Sequence, residues 1–311
     1  YGAEYVRCVN KADIGNSKGT ATAGLQGYVR GNYALVVEEC SNEGAITAGD
    51  VAAGLVGNVA ATAPLKVTHS HNSGDVSTTL SKSTHGTAGL LAMLSAGSEV
   101  TDCYNTGSIF AENAVYTGGI WGSELAIKSD NPARVARCHN SGTILAANYG
   151  GGIGGQMPDH TVVDSCYNTA DISATLGAGG IIGGLLGDAS TVRNCWNSGQ
   201  ITTSRNGAGG ISGYGSGNSR VENCFNTGSV VAGTENAGGL GGQGRVQYFN
   251  CYNTGSVKAP KSVGGLIGSP TRGTTTWQGA ALVDCYNAGR VEKADTLCGN
   301  LVGDNFGWDV A

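Results

Sequence analysis

Cys103-Tyr104-Asn105-Thr106-Gly107-Ser108-Ile109 is one copy of a phrase that the chain uses ten times. The other copies begin at Cys8, Cys40, Ser70, Cys138, Cys166, Cys195, Cys224, Cys251 and Cys285, at intervals of 27 to 35 residues. Each carries Asn two positions on (Asn10, Asn42, Asn72, Asn140, Asn168, Asn197, Asn226, Asn253 and Asn287), then Gly or Ala, then Ile or Val. A second phrase, small-Gly-apolar-x-Gly, follows in nearly every repeat, as in Gly118-Gly119-Ile120-Trp121-Gly122 and Gly264-Gly265-Leu266-Ile267-Gly268. It ends in the variant Gly299-Asn300-Leu301-Val302-Gly303. Self-similarity of this kind marks a chain of stacked supersecondary units, each too small to bury its own apolar side.

The phrase reads as a strand running into a turn. Cys103, Asn105, Gly107 and Ile109 share one parity and point to one face, which must be the inner one because it holds Ile109. An apolar residue also recurs three positions before the cysteine, at Val37, Val67, Val100, Val135, Val163, Val192, Val221 and Leu282, with Tyr5 and Tyr248 as exceptions. Three is an odd offset, so both positions face inward only if a bulge or corner separates them. The Asp or Asn before the cysteine (Asp102, Asn194, Asn223, Asn250, Asp284) suits such a corner. No window holds an apolar helical period over three turns without glycine. The expected fold is therefore all-β, a parallel β-solenoid of about ten coils, with strands roughly 4.8 Å apart giving a rod about 48 Å long. Residues 1–311 form one domain, and the longer repeats are expected to bulge at Ala111 to Tyr116, Glu124 to Pro132 and Pro270 to Gln278.

Composition agrees with an ordered, turn-rich body: 54 Gly, 5 Pro and 13% charged residues in 311. Glycine does not fall every third residue, so collagen is excluded. The net charge is −5, and the 18 Lys and Arg do not cluster, which argues against a nucleic-acid partner. No apolar run has the length of a membrane span, so no membrane insertion is expected. A chain opening on Tyr1, already inside its first repeat, reads as a processed or excised segment, and the expected location is extracellular, at a cell surface or secreted.

The paired phrases resemble the GLUG-type repeats of large bacterial surface proteins, including adhesin-like chains and some IgA-cleaving peptidases. The resemblance spans nearly the whole chain. It implies a β-solenoid on an exported protein with a scaffold or adhesive role. It implies no catalytic residue, because the chemistry of peptidases with such repeats belongs to another domain.

In a solenoid the nine repeat cysteines form a column of buried free thiols acting as small hydrophobes, since side chains stacked in register are poorly placed for disulfide torsions. One ligand per coil along a line cannot surround a tetrahedral metal ion, and no cofactor is expected. Cys298 stands outside the column. The Asn column is expected to bond to its turn and to the Asn above and below, with the following Gly at positive φ. The Gly boxes lack the Gly-Lys-Ser/Thr of a phosphate loop and are expected to pack backbone closely at a corner.

Beside the cysteine, Tyr104, His139, Tyr167, Trp196, Phe225, Tyr252 and Tyr286 fall on the outward parity and line into a stripe, which Val9, Ser41 and His71 interrupt in the first three copies. Such a stripe stabilises the sheet by stacking, contacts another protein or receives sugar rings. Asp164, Arg193 and Glu222 alternate in sign two residues before the cysteine and read as a salt-bridge ladder rather than a glycosidase pair. His69, His71, His85, His139 and His160 fit no metal or nucleophile motif, although His69 and His71 share a short strand. The expectation is a non-enzyme: a stalk, adhesin or fibre subunit, with a carbohydrate-binding module as the alternative. The expected partners are a second copy end to end, a host or cell-surface protein, or a glycan. Phe306 and Trp308 are the candidate end contact, because neither tail looks able to cap an open coil.

Overall fold

The computed structural model describes residues 3–31, 33–59, 63–79, 83–124, 131–185, 187–216, 218–271, 281–292 and 295–304. Among them no helix forms. The fourth coil shows the pattern, with strands Glu99–Thr101, Tyr104–Asn105, Ile109–Ala111, Ala114–Gly118 and Trp121–Glu124. Each strand pairs in parallel with its counterparts in the neighbouring coils. The result is a solenoid with five parallel walls of nine or ten strands. In the tenth coil the third and fifth walls shrink to single bridges, Val257 to Val291 and Ile267 to Val302. The strand count thus matches the ten phrases, with about nine full turns.

The first wall ends in a one-residue corner. In all ten copies the residue before the cysteine position, from Arg7 to Asp284, has φ between 50° and 57°. That left-handed residue supplies the odd step, so Val100 and Cys103 both lie in the core at 0% exposure. Asp and Asn tolerate this conformation best, which accounts for their frequency there. The glycine of the phrase was expected to carry the positive φ, and it does not. Gly107 is required for space: a Cβ there would lie 2.1 Å from the Gly74 carbonyl oxygen of the preceding coil. The predicted bulge at Ala111 to Tyr116 is also absent, because the chain turns at Glu112 and Asn113 and enters the strand Ala114–Gly118. The other two bulges fall largely at 125–130 and 272–280, outside the described residues.

Two apolar compartments run along the rod. One holds the valine column, the cysteines and the Leu or Ile of each Gly box; the other holds the Ile or Val that closes each phrase and the alanines after it. The Asn column and the Gly boxes meet between them. A Cβ at Gly119 would lie 2.1 Å from the Gly152 carbonyl oxygen and 2.7 Å from Asn140. Larger core side chains are accommodated by glycine in a neighbouring coil. Trp121 lies over Gly154, and Tyr248 over Gly241, with its hydroxyl 2.8 Å from Ser212.

Candidate functional site

The repeated residues form three in-register rows, and each satisfies a different physical need. The Asn amides make a ladder: Asn105 Nδ2 donates to Asn140 Oδ1 at 2.8 Å, and the same bond recurs from coil to coil between Asn10 and Asn287. The second N–H of each amide donates to the carbonyl two residues on, as Asn105 does to Gly107 at 2.8 Å. From Asn42 to Asn253 these side chains are fully buried, so the ladder provides hydrogen bonding in a region without solvent.

The cysteines are free and, from Cys40 to Cys251, buried. Their role exceeds that of small hydrophobes. Each thiol donates to the carbonyl two residues before it, Cys103 to Thr101 at 3.1 Å and Cys195 to Arg193 at 3.1 Å. Each sulfur from Cys166 onward accepts the backbone N–H of the preceding coil's cysteine, as Cys195 Sγ does from Cys166 at 3.4 Å. Ser70, the copy without sulfur, does the same with its hydroxyl, accepting from Cys40 at 3.0 Å and donating to Thr68 at 2.8 Å. The corner leaves an N–H turned inward, and a small donor-acceptor side chain must meet it. Burial pushes the Cys138, Cys195 and Cys224 thiols well above the ordinary thiol value, which keeps the donating protons in place. A related row, Ser98, Ser190 and Ser219, serves the start of the first wall. Each of these serines stands five residues before the cysteine of its coil, Cys103, Cys195 or Cys224.

The third row is aromatic. Tyr104, His139, Tyr167, Trp196, Phe225, Tyr252 and Tyr286 stack with centroid spacings of 4.5 to 6.0 Å and planes within 10° of one another. His71 belongs to the row and does not interrupt it, lying 4.6 Å from Tyr104. All are half-buried except Tyr286, which is 55% exposed at the end of the row. Ring faces are therefore turned to one another, and the row offers edges to solvent. Partial burial holds the His71 and His139 imidazoles below their ordinary value, so both stack as neutral rings at pH 7.

The charged column is only partly a ladder. Arg193 bonds to Asp164 through Nε and Nη2 at 3.0 and 2.8 Å, but Glu222 pairs with Arg220 of its own strand at 3.0 Å. Burial opposes ionisation of Asp164, yet bonds from Asn194, Arg193 and Ser165 outweigh it and hold the carboxyl below its usual range. His69 is a corner residue with φ 50°, so it does not share a strand face with His71. Among the described residues no three or more His, Cys, Asp and Glu side chains group so as to hold a metal ion. Phe306 and Trp308 lie outside the described residues.

One feature escaped the sequence reading. Tyr116 stacks on Tyr149 at 5.4 Å, and Tyr149 meets Tyr214 edge-on at 6.2 Å beside Gly177 and Gly207. The signal was present, since Tyr116 and Tyr149 both stand two residues before a Gly box. Comparison of the chain with protein-family models, curated proteins and solved structures finds no match in any of the three.

Proposed function

We propose that this chain is a structural module, the stalk, adhesive rod or fibre component of an exported bacterial surface protein, with no chemistry of its own. The observation that carries the reading is that the residues repeated in nearly every coil are committed to joining one coil to the next. The Asn amides bond along the axis, the thiols meet the inward N–H groups, and the aromatic rings stack on one another. A chain selected for a single site concentrates its unusual residues in one place, whereas this one distributes them evenly along a rod. The resemblance to GLUG-type repeats points the same way. Glycan binding draws less support, because a sugar ring stacks on an aromatic face and the faces of this row already lie against each other.

Single-molecule pulling between the two ends tests the structural role. A load-bearing rod releases its length in steps of one repeat, at forces far above those of an unfolded chain. A glycan array tests the alternative. Specific, saturable binding that is abolished by Trp196→Ala would replace the structural reading with the carbohydrate-binding one.

A further inference from the structure

The last Gly box differs from the other nine at its second residue, where Asn300 replaces glycine. The glycine matters because the box of one coil lies against the Asn of the next. A Cβ at Gly239 would lie 2.3 Å from Asn253 Cγ and 2.2 Å from the Gly265 carbonyl oxygen; one at Gly265 would lie 2.3 Å from Asn287 Nδ2. Wherever a following coil exists, this position has no room for a side chain.

Asn300 places a side chain there, and that side chain takes over the task of the next rung. Asn287 Nδ2 donates to Asn300 Oδ1 at 3.0 Å, as Asn253 Nδ2 donates to Asn287 Oδ1 at 2.9 Å one coil earlier. The partner is only 13 residues away in sequence, within the same coil, instead of 27 or more. The other Asn287 N–H donates to the Gly289 carbonyl at 3.0 Å, and its Oδ1 accepts from Gly289 N at 3.1 Å. The amide ladder is thereby complete without an eleventh Asn.

We infer that Asn300 is a built-in stop for the solenoid: it closes the ladder from within the tenth coil and excludes an eleventh coil of the same phrase. The excluded coil is either the next one along this chain or the first coil of a second copy stacked head to tail, and the stop bars both. Sheet ends are the part of a β protein most prone to unintended pairing, and a side chain that blocks register is an economical way to control one. The inference does not rest on the role proposed above: it is compatible with a stalk or an adhesive rod and counts against a fibre built by stacking copies end to end.

The test adds a coil. A second copy of residues 218–244 is inserted after Asp304 in the full chain, with Cys298→Ser, and alkylation of the added cysteine is followed site by site with mass spectrometry. The expected result is rapid labelling with Asn300 in place and at least tenfold protection in the Asn300→Gly chain, where the new coil stacks. Asn300→Ala removes the amide but keeps a Cβ, and it is expected to label rapidly. Equal labelling of the Asn300 and Asn300→Gly chains, fast or slow, overturns the inference, and so does protection with Asn300→Ala equal to that with Asn300→Gly.

Discussion

Replacing Asn197 by Ala tests the amide ladder where it is deepest. Asn197 donates to Asn226 Oδ1 at 2.8 Å and to the Gly199 carbonyl at 2.9 Å, and it accepts from Asn168 Nδ2 at 2.8 Å. Three hydrogen bonds at about 1 kcal/mol each amount to about 3 kcal/mol, and buried groups left short of a partner raise the cost to about 4 kcal/mol or more. Asn287→Ala also deletes ladder bonds, but water reaches its half-buried site, so the expected cost falls to about 1 kcal/mol. Urea unfolding gives the total, and hydrogen exchange locates it, because in a solenoid the loss stays near the altered coil and its neighbours. The double variant Asn197→Ala with Asn226→Ala should cost less than the sum of the singles by about 1 kcal/mol, since the two share one bond. A cost below about 1 kcal/mol for Asn197→Ala, or strict additivity in the pair, would refute the account of the ladder as the coil-to-coil bond of the buried seam.

Other outcomes follow from the same geometry. If the thiols serve as hydrogen-bonding groups, Cys195→Ser is tolerated better than Cys195→Ala in urea unfolding, because serine, like Ser70, still meets the N–H of the preceding coil; a plain hydrophobe would give the reverse order. Gly119→Ala should cost more than about 2 kcal/mol because its Cβ meets backbone, whereas Gly15→Ala, with nothing within 4 Å of the added Cβ, should be neutral or slightly stabilising. The stacked histidines have folded values below their unfolded one. Their contribution is complete above about pH 6.5 and declines as pH falls below it, a dependence that His139→Phe should halve in acid titrations followed by thermal melting. Asp164 is also depressed, so its contribution is present above about pH 4 and lost as pH falls further, and Asp164→Asn should flatten that limb.

The architecture was legible in the sequence because a repeat reports the same constraint many times. Val100 and Cys103 at an odd offset demanded a corner, and Asp102 at φ 57° is that corner. The Asn column, the closeness of the Gly boxes and the alignment of Tyr167 with Trp196 were likewise readable. What sequence could not separate were two reasons for the same residue. Glycine serves for positive φ or for lack of a Cβ, and Gly107 is there for the second. Cysteine serves as a hydrophobe or as a polar group, and only Ser70, the single substitution in the column, hinted at the hydrogen bonds. Arg193 and Glu222 looked paired because spacing shows neighbours but not which rotamer a long side chain takes, and Glu222 turned to Arg220.

The buried amide ladder also gives the rod an electrical direction. Backbone bonds between coils run both ways, as with Asp102 N to Ala136 and Tyr104 N to Ser70, so their dipoles largely cancel. Every ladder bond runs one way, from the lower coil's N–H to the higher coil's oxygen. The aligned side-chain amides add head to tail, as peptide units do in a helix, with the oxygen pole at the first coil and the N–H pole at the tenth. Two ends built from the same phrase are therefore electrostatically unlike, and a charged neighbour distinguishes one from the other before it touches either.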